Sequence, residues 1–335
     1  MCDYMNRSKL DEIYSLSNKI TRKEMVDRYE NYEELSISHR SEPMKYIDIF
    51  TGRVRSELCT NRTECPLCFS KKYSYVFTKH GFDFSSCDDC ELIFTLQVLD
   101  QEKIKFLEFG KEGDNYGKIK SEKVVNENDR KKFEIVFEQL EKYTEIKEIF
   151  DFGSQIGTFL DWASEKYNIT GHEYHDALRK AGESKGHTVL NDELNSIKFD
   201  KEFDLITCWD YIDHVLDPHE TIANVSKYLK KGGLFFFAIN NKDSLSVKIM
   251  HGDSPLFIGP HHTMNYGLDQ LKILMKDFKL IHAESYVSEL NWISNWMNFK
   301  NPEFGDTPLM FDLFDPAKVS ELGMGIKLNA IFQKV

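Results

Sequence analysis

The chain has 335 residues, 41% hydrophobic and 13% aromatic, with only 18 Gly and 8 Pro, which excludes a disordered or collagen-like polymer and leaves room for about two domains. Its 43 basic against 55 acidic residues give a net charge of −12, a sign that repels phosphate backbones and makes nucleic acid an unexpected partner. The longest apolar run, Leu234 to Ile239, is six residues, far short of the roughly 20 needed to cross a bilayer. The opening MCDYMNRSKL has no secretory pattern, so a cytoplasmic protein without membrane contact is expected.

Residues 1–60 carry Leu10, Ile13, Tyr14, Ile20, Met25, Tyr29 and Tyr32 at near-helical spacing in a charged background, which predicts a helical N-terminal extension. Residues 61–100 alternate short β-rich pieces with Cys65, Cys68, Cys87 and Cys90, two Cys-x-x-Cys pairs separated by 18 residues. A segment this small cannot build its own apolar core and needs a staple. Two such pairs match a four-thiolate tetrahedral zinc site, a small zinc ribbon. Four sulfurs close the coordination sphere, so this Zn2+ is expected to be structural. Cys2, Cys59 and Cys208 lack partner spacing and read as ordinary thiols. In residues 101–146, a helical linker, Phe133, Val136, Phe137, Leu140 and Tyr143 recur at three- and four-residue steps and predict an amphipathic helix over 128–143.

From residue 147 to 335 strand and helix alternate. EIFDFG is followed by a helical FLDWASEKY, ITGHEY by a helix from Ala177 to Lys185, then HTVLN, FDLITCWD, a helix HETIANVSKYLKK ending at Gly232 and Gly233, and LFFFAIN. This predicts an α/β fold with a doubly wound, mostly parallel sheet. The ligand site then belongs at the carboxyl ends of the strands. A polar loop to about Gly267, a helix DQLKILMKDF, a strand near 280–287, an aromatic-rich insertion at 289–322 and a last strand IKLNAIFQKV complete the chain.

The first of these strands ends in Asp151-Phe-Gly153-Ser154-Gln155-Ile-Gly157. Gly153 permits a tight turn and close backbone approach, and the helix that follows presents free N–H groups; phosphate, nucleotide and adenosyl ligands all use that arrangement. About twenty residues on, the second strand ends in Glu173, placed to accept hydrogen bonds from two ribose hydroxyls. No Gly-Lys-Ser/Thr occurs, which excludes a P-loop.

With these motifs, DFGSQIGTFLDWA, GHEYHD and FDLITCWDYIDHVLDPHETIANVSKYLKKGGLFFFAINN, the stretch from Glu148 to about Lys242 resembles the class I S-adenosylmethionine-dependent methyltransferases. The family's first motif reads Asp/Glu-x-Gly-x-Gly-x-Gly, and here Gln155 replaces the middle glycine. The resemblance implies a Rossmann-like methyltransferase domain and S-adenosyl-L-methionine as cofactor, with Asp151, Gly153, Ser154, Gln155, Gly157 and Glu173 around it. Trp209 and Asp210, which end the fourth strand, flank it, and Asn191 and Asp192 after the third strand stand at the adenine edge. It also implies that His214 faces the reaction. His261 and His262, in the loop after the fifth strand, are further candidates for a base or substrate contacts. Family members with a four-cysteine segment ahead of this domain include enzymes that methylate sugars and small metabolites, and an RNA-methylating group whose zinc module opens with Cys-Pro-x-Cys, as Cys65-Pro-Leu-Cys68 does.

The expected function is methyl transfer to a small polar metabolite, foremost a nucleotide-linked or polysaccharide sugar, through O- or C-methylation. The alternatives are RNA methylation with the zinc module docking the nucleic acid, and a non-catalytic binding protein whose cofactor site is degenerate at Gln155. A homodimer is a further expectation.

Overall fold

The structure is a computed structural model that describes residues 9–14, 41–104, 123–300 and 313–335. Of the expected N-terminal helical extension, α1 (Leu10–Tyr14) is described, residues 15–40 lie outside the described residues, and 41–58 hold two short 3-10 turns and an isolated bridge between Ile47 and Val54. The α1 turn docks on the far end of the chain. The Asp11 carboxylate accepts from the Val287 N–H at 2.9 Å and from Ser320 Oγ at 2.7 Å, and Tyr14 stacks on Tyr286.

In the four-cysteine segment β1 (Cys59–Asn61) pairs antiparallel with β5 (Gln97–Leu99), and β2 (Tyr73–Lys79), β3 (Phe82–Cys87) and β4 (Ile93–Thr95) form an antiparallel meander. His80 and Gly81 turn the β2–β3 hairpin with φ of +52° and +79°, the left-handed pair that a tight hairpin requires.

The predicted amphipathic helix is α2 (Lys123–Leu140). Beyond it stand β6 (Glu148–Phe152), α3 (Thr158–Ala163), β7 (Asn168–His172), α4 (Asp176–Ser184), β8 (Val189–Leu190), β9 (Phe203–Trp209), α5 (Pro218–Val225), β10 (Leu229–Asn240), α6 (Leu245–Met250), β11 (Met264–Asn265), α7 (Leu268–Leu274), β12 (Phe278–Tyr286), α8 (Leu290–Lys300), α9 (Pro316–Glu321) and β13 (Lys327–Lys334). Residues 301–312 of the aromatic-rich insertion lie outside the described residues. One predicted boundary is corrected. The helix expected to run to Gly232 and Gly233 stops at Val225, and Leu229 already pairs with Phe203 of β9, so sheet pairing captures the Leu-Lys-Lys-Gly-Gly stretch as a bulged strand start.

The sheet order is β12-β13-β10-β9-β6-β7-β8, parallel throughout except for β13, which runs antiparallel to both neighbours. The chain winds outward from β6 to β8 and then returns to β9 on the other side of β6. That reversal opens a crevice at the carboxyl ends of β6 and β9.

Along β10 the buried residues alternate between two cores. Leu234, Phe236 and Ala238 pack with Phe133, Phe137, Phe159 and Trp162 of α2 and α3, whereas Phe235, Phe237 and Ile239 pack with Ile222, Val225 and Leu271 of α5 and α7. The second core also contains Cys65, Leu67, Cys87 and Phe94, so the four-cysteine segment is packed onto the sheet. β11, from the loop after β10, pairs with β4 and becomes the fourth strand of the module's own sheet. Among the described residues no helix is long and apolar enough to cross a membrane.

Candidate active site

At the end of β6 the Gly153 and Ser154 N–H groups both donate to the His172 carbonyl, at 2.9 and 2.8 Å, which folds the turn over the tip of β7. Gly153 has φ +85°, and a Cβ there would stand 2.4 Å from the Tyr211 ring; only glycine lets Tyr211 lie against this main chain. Gln155 has φ +53°, so the residue at the family's middle-glycine position keeps the left-handed backbone that a glycine would adopt. Its N–H donates to Glu173 Oε2 at 2.9 Å, and the His175 N–H donates to Oε1 at 2.8 Å. Glu173 is buried, and burial pushes its pKa up against those two hydrogen bonds. Gly157, φ +79°, caps α3 and approaches Gly182 of α4.

A narrow cleft opens over this turn. Asp151, Gly153, Ser154 and Gln155 form its floor, Trp209 and Asp210 one wall, and Asp129, Lys132 and Phe133 of α2 the other. Asp151 accepts from Thr207 Oγ1 at 2.6 Å, and its burial raises its pKa to about 7. Trp209 is both wall and core. Its ring lies 4.5 Å from that of Phe236 and 5.1 Å from that of Phe133, and Lys132, ion-paired with Asp129 at 2.9 Å, sits over it. Asp210 has φ +52° and pairs with Lys327 of β13 at 2.6 Å.

Asn191 and Asp192 are exposed and do not line the cleft; the Asp192 carbonyl is hydrogen-bonded to His172 Nε2 at 2.7 Å.

Beside the cleft the three predicted histidines come together. His214 lies 5.0 Å from His262 and 6.3 Å from His261, ring to ring, and stacks on Tyr211 at 5.9 Å. Between them stands a residue that the sequence reading did not select, Asp213, which is buried. Its Oδ2 is 3.7 Å from His262 Nδ1, and its Oδ1 is 3.9 Å from His214 Nε2 and has no hydrogen-bond partner. The pattern that could have found it is its adjacency to His214 in Ile212-Asp213-His214. His262 Nδ1 donates to the Leu256 carbonyl at 2.9 Å, since a carbonyl can only accept. The ring is thereby held as the tautomer whose lone pair is on Nε2. Loss of hydration against the surrounding protein lowers the His214 pKa to about 4, so the ring is neutral at pH 7.

Residues 124–283 match the family described as a methyltransferase domain. A ubiquinone biosynthesis O-methyltransferase of Thiobacillus denitrificans is 28% identical over 91 residues, 27% of this chain and 39% of that protein. One from Colwellia psychrerythraea is 31% identical over 111 residues, 32% of this chain and 44% of its own. The chain thus spans about two fifths of the length of these curated relatives. Among solved structures, magnesium protoporphyrin IX methyltransferase from Synechocystis aligns with a TM-score of 0.48 at 9% identity, covering 70% of this chain and all of that one. An S-adenosylmethionine-dependent methyltransferase from Clostridium acetobutylicum aligns at 0.44 and 14% identity, covering 66% and 98%.

The bare main chain at Gly153 and the buried Glu173 carboxylate beside it fit an adenosyl donor, the cofactor that the family match supports. Gly153, Ser154 and Gln155 would take its methionine side and Glu173 its ribose. The wall contributed by α2 is the part of the cleft that sequence reasoning missed, because Phe133 read only as one position of a helix stripe. Cys65, Cys68, Cys87 and Cys90 bring their sulfurs within 4.8 Å of one another, with Cys65 Sγ to Cys90 Sγ at 3.6 Å and Cys68 Sγ to Cys87 Sγ at 3.4 Å. A tetrahedral ion with bonds of about 2.3 Å spaces its sulfurs about 3.8 Å apart, so the donor set fits zinc.

Proposed function

We propose that the chain is an S-adenosylmethionine-dependent methyltransferase acting on a small polar metabolite that offers a hydroxyl or an acidic C–H, with a nucleotide-linked or polysaccharide sugar as the leading acceptor class. The observation that carries this is the position of Tyr211. Its ring lies against Gly153 on the donor turn and stacks on His214, so the Asp213–His214–His262 cluster adjoins the end of the cleft. The two curated relatives are named O-methyltransferases, which supports an oxygen acceptor.

The bound cofactor supplies an electrophilic methyl group. The protein's tasks are to align the acceptor and to remove one proton. His262 Nε2 carries the lone pair and is the leading acceptor of that proton; His214, whose pKa is lowered, is neutral at pH 7 but the weaker base of the two. The buried Asp213 carboxylate, under 4 Å from both rings, stabilises the imidazolium that forms. We also propose that Cys65, Cys68, Cys87 and Cys90 hold one structural zinc ion.

The test has two stages. Calorimetry with S-adenosylhomocysteine should show micromolar binding; its absence in folded protein would favour a non-catalytic binding protein. A panel of nucleotide sugars, polysaccharide fragments, catechols and RNA is then screened for transfer of a labelled methyl group. Label on a sugar supports the reading, and label on RNA alone overturns it.

A further inference from the structure

Arg62 follows β1 in the four-cysteine segment, and its N–H is fixed to the Leu96 carbonyl at 2.8 Å. Its guanidinium reaches across to the methyltransferase domain. Nη1 donates to the Thr95 carbonyl at 2.9 Å and to the Thr263 carbonyl at 3.2 Å, and Nη2 lies 3.4 Å from Thr263 Oγ1. No carboxylate is among these partners; they are neutral oxygens. Thr263 directly follows His262, and its own N–H is shared between the carbonyls of Asp213, at 3.1 Å, and His261, at 3.0 Å. Through Thr263, Arg62 therefore links the module to Asp213, His261 and His262.

The strand pairing of β4 with β11 already joins the two parts. The Thr95 N–H donates to the Thr263 carbonyl at 3.0 Å, and Met264 and Asn265 pair with Phe94 and Ile93. Adhesion alone does not call for a cation, and withdrawing a guanidinium from water onto neutral acceptors is costly. What the guanidinium adds is geometric: Nη1 holds carbonyls from two different parts of the chain while Nη2 takes the Thr263 hydroxyl, so both the main chain and the side chain of Thr263 are fixed to one rigid group.

We propose that Arg62 is a positioning residue for the acceptor site, holding Thr263 so that His262 and Asp213 stay opposed. Its purpose rests on the reading of those residues as the proton-accepting cluster, but its geometry can be measured without any acceptor. Full-length wild type, Arg62→Met and Arg62→Lys are compared by histidine side-chain 15N NMR and by calorimetry with S-adenosylhomocysteine. In wild type His262 should appear as the Nδ1–H tautomer. In Arg62→Met the His262 signals should move toward a mixture of tautomers, with cofactor affinity changed less than threefold. Arg62→Lys, a point donor without the fork, should show the same change in smaller measure, and it serves should the Met variant fail to fold. His262 signals that superpose on wild type in either folded variant would overturn the proposal. A purely structural role would lower the melting temperature and leave the tautomer as it was. Failure to find any acceptor would count against the catalytic reading and leave this outcome intact. With an acceptor in hand, kcat should fall about 10-fold or more in Arg62→Met at unchanged cofactor KM.

Discussion

The main-chain N–H of Gln155 donates to the Glu173 carboxylate at 2.9 Å, tying the turn after β6 to the residue that follows β7. The same carboxylate holds the His175 N–H, so its removal strands two donors as well as removing the proposed ribose contact. Hydrogen bonds to a charged partner contribute about 1.5–3 kcal/mol each. Glu173→Ala should therefore weaken S-adenosylhomocysteine binding about 10-fold or more, and Glu173→Gln by less, as read by calorimetry. Equal affinity in Glu173→Ala would remove this residue from the cofactor site.

Gln155 sits at φ +53°, where any residue with a Cβ is strained and a β-branched one more so. Gln155→Gly relieves the strain but frees the unfolded chain, so its stability should stay within about 1 kcal/mol of wild type. Cofactor affinity should hold or rise. Gln155→Val should lose at least about 1 kcal/mol by urea unfolding and bind the cofactor more weakly. A Val variant as stable as wild type would show that the left-handed turn is not required.

Asp151 has its pKa raised by burial to about 7, from 3.8. The folded chain thus keeps this proton at pH values where the unfolded chain has released it. Raising the pH from about 4 to about 7 favours the unfolded chain, and the loss is complete above about 7. Asp151→Asn keeps an acceptor for Thr207 and abolishes the titration. Relative to wild type it should gain on the order of 2 kcal/mol between pH 5 and pH 8 in urea titrations. Parallel stability curves for the two proteins would contradict the shift.

The cysteine quartet should bind one zinc per chain, measured by elemental analysis, and Cys68→Ser with Cys87→Ser should abolish it. Because β11 completes the module's sheet, chelation should raise amide exchange at Thr263 and Asn265 as well as within 59–99. Amides of β6 and β9 should keep their protection. Uniform loss of protection across the chain would mean that the module is not a separate cooperative unit.

The strands of the core, the Gly153 turn, the acid at Glu173 and the cysteine spacing were all legible in the amino-acid sequence, because each is local. A turn needs one glycine, an apolar run of six residues reads as a buried strand, and two thiols per knuckle lie three residues apart. The end of α5 was misread since good helix formers at Leu229–Lys231 lost to pairing with a distant strand. Only tertiary packing decided that α2 would close the cleft with Lys132 and Phe133, and that Asp213 would stand between His214 and His262. The same holds for Arg62, which meets Thr263 across 201 residues of chain. Contacts at that separation have no periodicity to betray them. They follow from which faces two cores must bury, and that is settled when the four-cysteine module packs against the sheet.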